Sequence, residues 1–294
     1  MSDDALHVSH VKGRPTQVVR HLAPGADTLI LIVPGNPGGA RFYVPLASAL
    51  FQRSRGQCHV AVASHVGQVP ALVPPEATGH FTLADQIQHK LDFIDDLPPV
   101  QTIHLVGHSI GCWIALGILD QLPEEQRGRA FLACPTIERM AISPNGLRLT
   151  PLFNRYRRLG VALAAIIHRL PGRRTLLQQA MLRQTPPAHR ETMLQAMLDL
   201  TPTAIDNVLG MAGEEMRVVT DLPVEQLRRH GRRLCLYYAP GDPWNLPEMA
   251  DEVEALGLGA EVVRGPDTLR HSFVLHDCTR IIDAIMERLT PRSA

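Results

Sequence analysis

Apolar residues alternate between two rhythms along the first half of this chain. Thr28–Val33 (TLILIV), His59–Ala63 (HVAVA), Thr102–Val106 (TIHLV) and Ala130–Ala133 are short unbroken apolar runs, each reading as a buried strand. The first run stops at Pro34-Gly35 and the third at Gly107, residues that break regular structure. Between the runs, Phe42–Phe51 and Ile110–Leu122 read as helices. Thr82–Leu97 spaces Leu83, Ile87, Leu91 and Ile94 at helical intervals. Thr82 stands as its N-cap with Asp85 three residues on, an acidic variant of the capping box. Strands alternating with helices predict a mostly parallel sheet covered by helices on both faces, joined by right-handed crossovers.

The rhythm breaks between Pro135 and Arg232. Arg155–Arg169, Thr175–Leu182, Arg190–Leu200 and Thr203–Val219 read as helices, and no strand is convincing there. Strand signals return at Leu234–Ala239 (LCLYYA) and Glu261–Arg264, and Phe273–Leu289 reads as a closing helix. The expected organisation is a sheet core from 1–134 and 231–294, with 135–230 inserted as a helical cap or lid.

Composition narrows the partners. Of the 294 residues 45% are hydrophobic, enough for a sizeable core, and 29 basic residues balance 29 acidic ones. A neutral chain gives nucleic-acid binding no global electrostatic support. The five cysteines are scattered, without a CxxC pair or zinc-ligand spacing, so we expect reduced thiols, no metal and no cofactor. The acidic start Met1–Asp4 has no apolar run behind it, and no stretch nears the roughly 18 apolar residues of a membrane span. A cytoplasmic protein is expected.

The chemistry sits in Gly107-His108-Ser109-Ile110-Gly111, a G-x-S-x-G motif between a predicted strand and a predicted helix. That context is the nucleophile elbow of the α/β-hydrolase fold, in which a sharp turn lifts a serine hydroxyl above the sheet. Serine needs a base and the base an orienting acid, in the chain order Ser, acid, His. Asp242, directly after LCLYYA, fits the acid, with Asp267 as second choice. His271, just before the closing helix, fits the base, with His276 as its rival. The tetrahedral intermediate requires two backbone N–H donors. Ile110 supplies one by position. The other should come from Pro34-Gly35-Asn36-Pro37-Gly38, where the prolines have no N–H, so Asn36 is preferred and Gly38 stands behind it.

These residues, with Phe42-Tyr43-Val44-Pro45, Gln86–Leu91, Pro135-Thr136-Ile137-Glu138-Arg139-Met140, Ser143-Pro144-Asn145-Gly146, Asp242-Pro243-Trp244 and His271-Ser272-Phe273, resemble the lipid droplet-associated hydrolase family, in the family's order. The resemblance is loose between Leu147 and Leu234. It implies an α/β-hydrolase fold, a triad falling on Ser109, Asp242 and His271, and a lipid-esterase activity. Its association with lipid droplets is the part least transferable to this arginine-rich chain.

The expected function is therefore hydrolysis of carboxylic esters, of small acyl or lipid type, through an acyl-serine. A thioesterase or amidase with the same triad, and a lipid-surface binding protein with weak hydrolysis, stand as alternatives. Ten arginines against two glutamates between Pro135 and Gln195, with apolar Gly160–Ile167 among them, make residues 150–175 a candidate for peripheral contact with a lipid surface. The plainer reading, a lid helix turning its apolar face to the pocket and its arginines to water, is preferred from the sequence.

Overall fold

The computed structural model describes residues 5–68, 81–181, 185–276 and 278–289. Eight strands, β1 (Leu6–Val11), β2 (Arg14–His21), β3 (Thr28–Val33), β4 (His59–Ala63), β5 (Thr102–His108), β6 (Arg127–Ala133), β7 (Leu234–Tyr238) and β8 (Glu261–Arg264), form one sheet. Their spatial order is 1-2-4-3-5-6-7-8. β2 runs antiparallel to β1 and β4, and every other pairing is parallel. The helices are α1 (Val44–Ser54), α2 (Leu83–Asp95), α3 (Ile110–Gln121), α4 (Pro144–Phe153), α5 (Arg157–Arg169), α6 (Arg173–Met181), α7 (Arg190–Leu198), α8 (Pro202–Val218), α9 (Val224–His230), α10 (Met249–Ala255) and α11 (Thr279–Leu289).

Side chains alternate across β3 and so divide the core. Leu29, Leu31 and Val33 enter the cluster that takes in α2, α3 and α10, while Ile30 and Ile32 enter the cluster with α1 and α11. α3 buries eight of its twelve residues and packs against β5, so the elbow is followed by a helix seated deep in the molecule. α2 starts where expected. Thr82 Oγ1 accepts from the Asp85 N–H at 3.1 Å, and Asp85 Oδ2 accepts from the Thr82 N–H at 2.8 Å, completing the capping box.

The sequence reading missed the N-terminal hairpin. β1 buries only Val11 in full and β2 carries Pro15, so neither shows a clean apolar alternation. Their two-residue turn, Lys12-Gly13, takes positive φ at both positions, which Lys seldom adopts. Three helices were also unforeseen: α4, entered through the Ser143 cap on the Gly146 N–H, α9, which packs on α3 and buries Leu227, and the short α10, which buries Met249 and Val253. The expected helix Phe42–Phe51 begins at Val44, after a 3-10 turn at Ala40–Tyr43. The expected closing helix is split into a 3-10 turn at Phe273–Leu275 and α11. The Leu182 end of the Thr175–Leu182 expectation lies outside the described residues.

Every described element between β6 and β7 is helical. α7 sends Met193 and Leu194 into one core cluster, and α8 sends Met211 and Met216 into the other. α5 buries none of its residues fully.

Candidate active site

Ser109 follows β5 directly and holds φ 56° and ψ −127°, a strained conformation for a residue with a Cβ. Close approach explains its flanking glycines. A Cβ on Gly107 would lie 2.8 Å from the Cys112 Cα, and one on Gly111 would lie 2.2 Å from the Val33 carbonyl oxygen. Larger residues at either position would push the strand, the helix and the loop after β3 apart.

The structure brings the three residues expected to act together into one hydrogen-bonded line. His271 Nε2 lies 2.9 Å from Ser109 Oγ, and His271 Nδ1 lies 2.7 Å from Asp242 Oδ2. With Nδ1–H donating to the carboxylate, Nε2 is left free to accept the serine proton. The Asp242 side chain is fully buried, and its Oδ1 accepts the Trp244 N–H at 2.9 Å. The carboxylate is thereby fixed on the turn after β7. The second choices are not part of this line. Asp267 and His276 line a separate cleft with Thr268, Arg270 and Arg280.

The loop after β3 is held from several sides. The Gly35 N–H donates to Tyr43 Oη at 2.7 Å, and the Gly38 N–H donates to Gln68 Oε1 at 2.7 Å. Both donors are occupied, which removes Gly38 as a second choice for an oxyanion. With prolines at 34 and 37, Asn36 is the loop residue left to present an N–H, and it lines the same cavity as Ser109. The other expected donor, the Ile110 N–H, opens α3 at its positive dipole end. His65 supports the loop from behind. Its Nε2 lies 3.1 Å from the Pro34 carbonyl oxygen, and its ring leaves room only for a glycine at 38.

Two residues to which the sequence analysis gave no role, His108 and Tyr43, join this loop to His271. His108 Nε2 lies 2.8 Å from the His271 carbonyl oxygen, which can only accept, so Nε2 carries the proton. Its Nδ1, 2.7 Å from Tyr43 Oη, must then accept the tyrosine proton, and the tyrosine oxygen accepts the Gly35 N–H. Burial lowers the His108 pKa to about 3, and burial pushes the Tyr43 hydroxyl pKa up, so both are neutral and the relay has one direction. The available signal was His108 inside the elbow motif, but its partners come from other parts of the chain.

Ser109 opens into a cavity of about 520 Å³. Its walls are mainly apolar and come from both parts of the chain: Phe42, Trp244 and Leu275 from around the sheet, Ile167 (α5), Met197 (α7) and Val208 (α8) from the helical segment. Such a pocket accepts a long apolar group beside a few polar ones. Among the described residues, the one cluster with metal-ligand donors close together is Cys134, Asp242 and His271, their ligand atoms within 4.8 Å of one another. Burial, with Asp242 nearby, holds the Cys134 thiol well above its usual pKa and so protonated, while metals take the thiolate. Asp242 and His271 are already paired to each other.

Comparison with known proteins gives the family and the fold. The family model described as lipid-droplet associated hydrolase matches residues 26–274. The lipid droplet-associated hydrolase of Homo sapiens is 31% identical over 276 residues, covering 89% of this chain and 84% of the human protein. That of Drosophila melanogaster is 30% identical over 268 residues, covering 84% of each. Among solved structures, an esterase from Exiguobacterium antarcticum superposes with a TM-score of 0.65 at 12% identity, covering 96% of this chain and 98% of the esterase. At that identity the likeness carries the fold alone, an α/β-hydrolase fold.

Proposed function

This chain belongs to the lipid droplet-associated hydrolase family, and from that premise we propose that it hydrolyses carboxylic esters of apolar acyl groups through an acyl-enzyme on Ser109. The observation that carries the reading is the unbroken line Ser109–His271–Asp242 opening onto an apolar cavity.

His271 Nε2 takes the Ser109 proton as Oγ bonds to the ester carbonyl carbon. The carbonyl oxygen gains the negative charge and rests on the N–H groups of Asn36 and Ile110. Asp242 steadies the imidazolium. When the bond from the acyl carbon to the alcohol oxygen breaks, His271 Nε2–H protonates the leaving alcohol. Water then enters, gives a proton to His271 and adds to the acyl carbon. Collapse of that intermediate releases the acid and returns the proton to Ser109. The apolar walls hold the acyl chain in line with Oγ.

The test combines active-site labelling with turnover. A fluorophosphonate probe should label Ser109, and p-nitrophenyl esters of graded chain length should be cleaved. Ser109→Ala should lower kcat by a factor on the order of 10³ to 10⁶. Equal turnover in the Ser109→Ala protein would end the proposal. Faster release from acyl thioesters or amides than from matched oxygen esters would keep the triad and change the substrate class.

Peripheral contact with a lipid surface is also supported by one observation. Leu159, Leu163, Ile166 and Leu170 form a stripe at helical spacing along and just beyond α5, each 44–68% exposed, on a helix whose Ala164, Ile167 and His168 line the cavity. The stripe is flanked by exposed Arg158 and Arg169. Apolar side chains beside arginines suit an anionic interface, and the names of the family's members point the same way. Leu163→Asp should weaken cosedimentation with vesicles containing anionic phospholipid while sparing turnover of soluble esters. Unchanged vesicle binding would refute this contact.

A further inference from the structure

Between the loop after β3 and the helical segment lies a contact that the hydrolytic line does not use. Asn36 Nδ2–H donates to the Val208 carbonyl oxygen at 2.9 Å and to Glu215 Oε1 at 2.8 Å, both on α8. Asn36 Oδ1 accepts from Gln68 Nε2–H at 3.3 Å. The side-chain amide is thus gripped by one helix, while the same residue's backbone N–H is the donor assigned to the oxyanion. Glu215 lines the cavity and is itself buried, 4% exposed.

We propose that Glu215 is a positioning residue for the oxyanion loop, holding Asn36 as a neutral acid and opposing the reaction once it ionises. The inference rests on the ester-hydrolase reading. As an uncharged acid, Glu215 accepts the Asn36 amide and leaves the field around the reacting carbonyl neutral. As a carboxylate it would place a full negative charge one residue's breadth from the developing oxyanion, in an environment that screens charge poorly.

Burial raises the Glu215 pKa to about 8, the Asn36 hydrogen bond lowers it, and Glu214 on the same helix raises it further. Glu214 is itself raised by burial and accepts the Leu83 N–H at the start of α2, where Asp85 adds a second negative charge. Across the cavity stand Tyr43, His108, His168, Arg173 and His271. Tyr43 and His108 are neutral, and the Arg173 guanidinium is bonded to the His168 carbonyl oxygen at the end of α5. His271 is paired with Asp242. Glu215 is therefore protonated at neutral pH and ionises just above it.

The experiment reads kcat and KM for a soluble p-nitrophenyl ester from pH 6 to pH 10, with melting temperature followed alongside. In the unmodified protein kcat should fall about fivefold between pH 8 and pH 9, as a group of that pKa loses its proton. Glu215→Gln keeps an acceptor for Asn36 and cannot ionise, so that fall should disappear. Glu215→Ala should lower kcat at pH 7 about tenfold, as expected for a loosened transition-state contact, with KM changed less than threefold. Glu215→Gln should recover most of that loss. A Glu215→Gln protein that keeps the alkaline fall overturns the inference and leaves the hydrolase reading intact. An unmodified protein that neither turns over nor labels with fluorophosphonate overturns both. If Glu215→Ala does not fold, the Glu215→Gln profile decides alone.

Discussion

Removing one oxygen atom from Tyr43 tests the relay behind the site. Tyr43 is 1% exposed, and its hydroxyl accepts the Gly35 N–H and donates to His108 Nδ1, both at 2.7 Å. Tyr43→Phe keeps the ring and its packing, so almost no transfer or cavity cost arises. What it leaves is a buried donor at Gly35 and a buried acceptor on His108, each unmet. A buried group without a partner costs about 1–3 kcal/mol, so the variant, with two such groups, should lose about 2–6 kcal/mol of folding stability. The measurement is urea unfolding with linear extrapolation, in which the midpoint should fall and the slope should stay the same. Activity should fall too, because the hydroxyl ties the Gly35–Asn36 segment, through His108, to the His271 backbone. A displacement of about 1 Å at the reacting groups can cost on the order of 10²-fold, so a drop in kcat of about tenfold or more is expected. A variant destabilised by less than about 1 kcal/mol, with kcat within about twofold, would refute the hydrogen-bond directions assigned here.

Three further outcomes follow from the same geometry. Asp242→Asn should keep KM close to its original value and lower kcat by a factor on the order of 10⁴, because the amide would favour the wrong His271 tautomer; steady-state ester kinetics would check it. Gly38→Ala would place a Cβ 2.1 Å from His65 Cδ2, whereas Gly39→Ala meets Phe42 Cδ2 at 3.3 Å. Thermal melts should therefore show Gly38→Ala destabilised by about 1–3 kcal/mol and Gly39→Ala much less. Glu215 is protonated more tightly in the folded chain than in the unfolded one, so its contribution to stability is present below the ordinary Glu pKa and lost as pH rises towards about 8. Urea unfolding at several pH values should show Glu215→Gln gaining on the unmodified protein by up to about 1.4 kcal/mol per pH unit in that window.

Part of this protein could be read from residue order alone. The runs TLILIV, HVAVA and TIHLV announced β3, β4 and β5 because fully buried parallel strands are apolar on both faces. The elbow motif was legible because its glycines and serine fall within one short stretch of sequence; Gly107 answers a local demand from Cys112, although Gly111 makes room for Val33 at the distant end of β3. β1 and β2 were not, since a half-exposed hairpin at the sheet edge imposes no strict alternation. α5 was read only in part. The sequence favoured one apolar face over the pocket, and the fold gives the helix a second, outward stripe of Leu159, Leu163 and Ile166. Small residues such as Gly160 and Ala164 pack inward, so apolar side chains were left over for the other side.

Residue order carried the alternating architecture, the serine at a tight turn and the chain order of serine, acid and histidine, because these follow from periodicity and from neighbours a few bonds apart. Tertiary structure decided which acid and which histidine meet that serine, that Gly38 is occupied by Gln68, and that Tyr43, His108 and Glu215 surround the site. Those contacts join residues from 29 to 179 positions apart. Whether such groups meet depends on how a sheet and an inserted set of helices pack together, and that packing is a property of the whole buried surface rather than of any local run of residues.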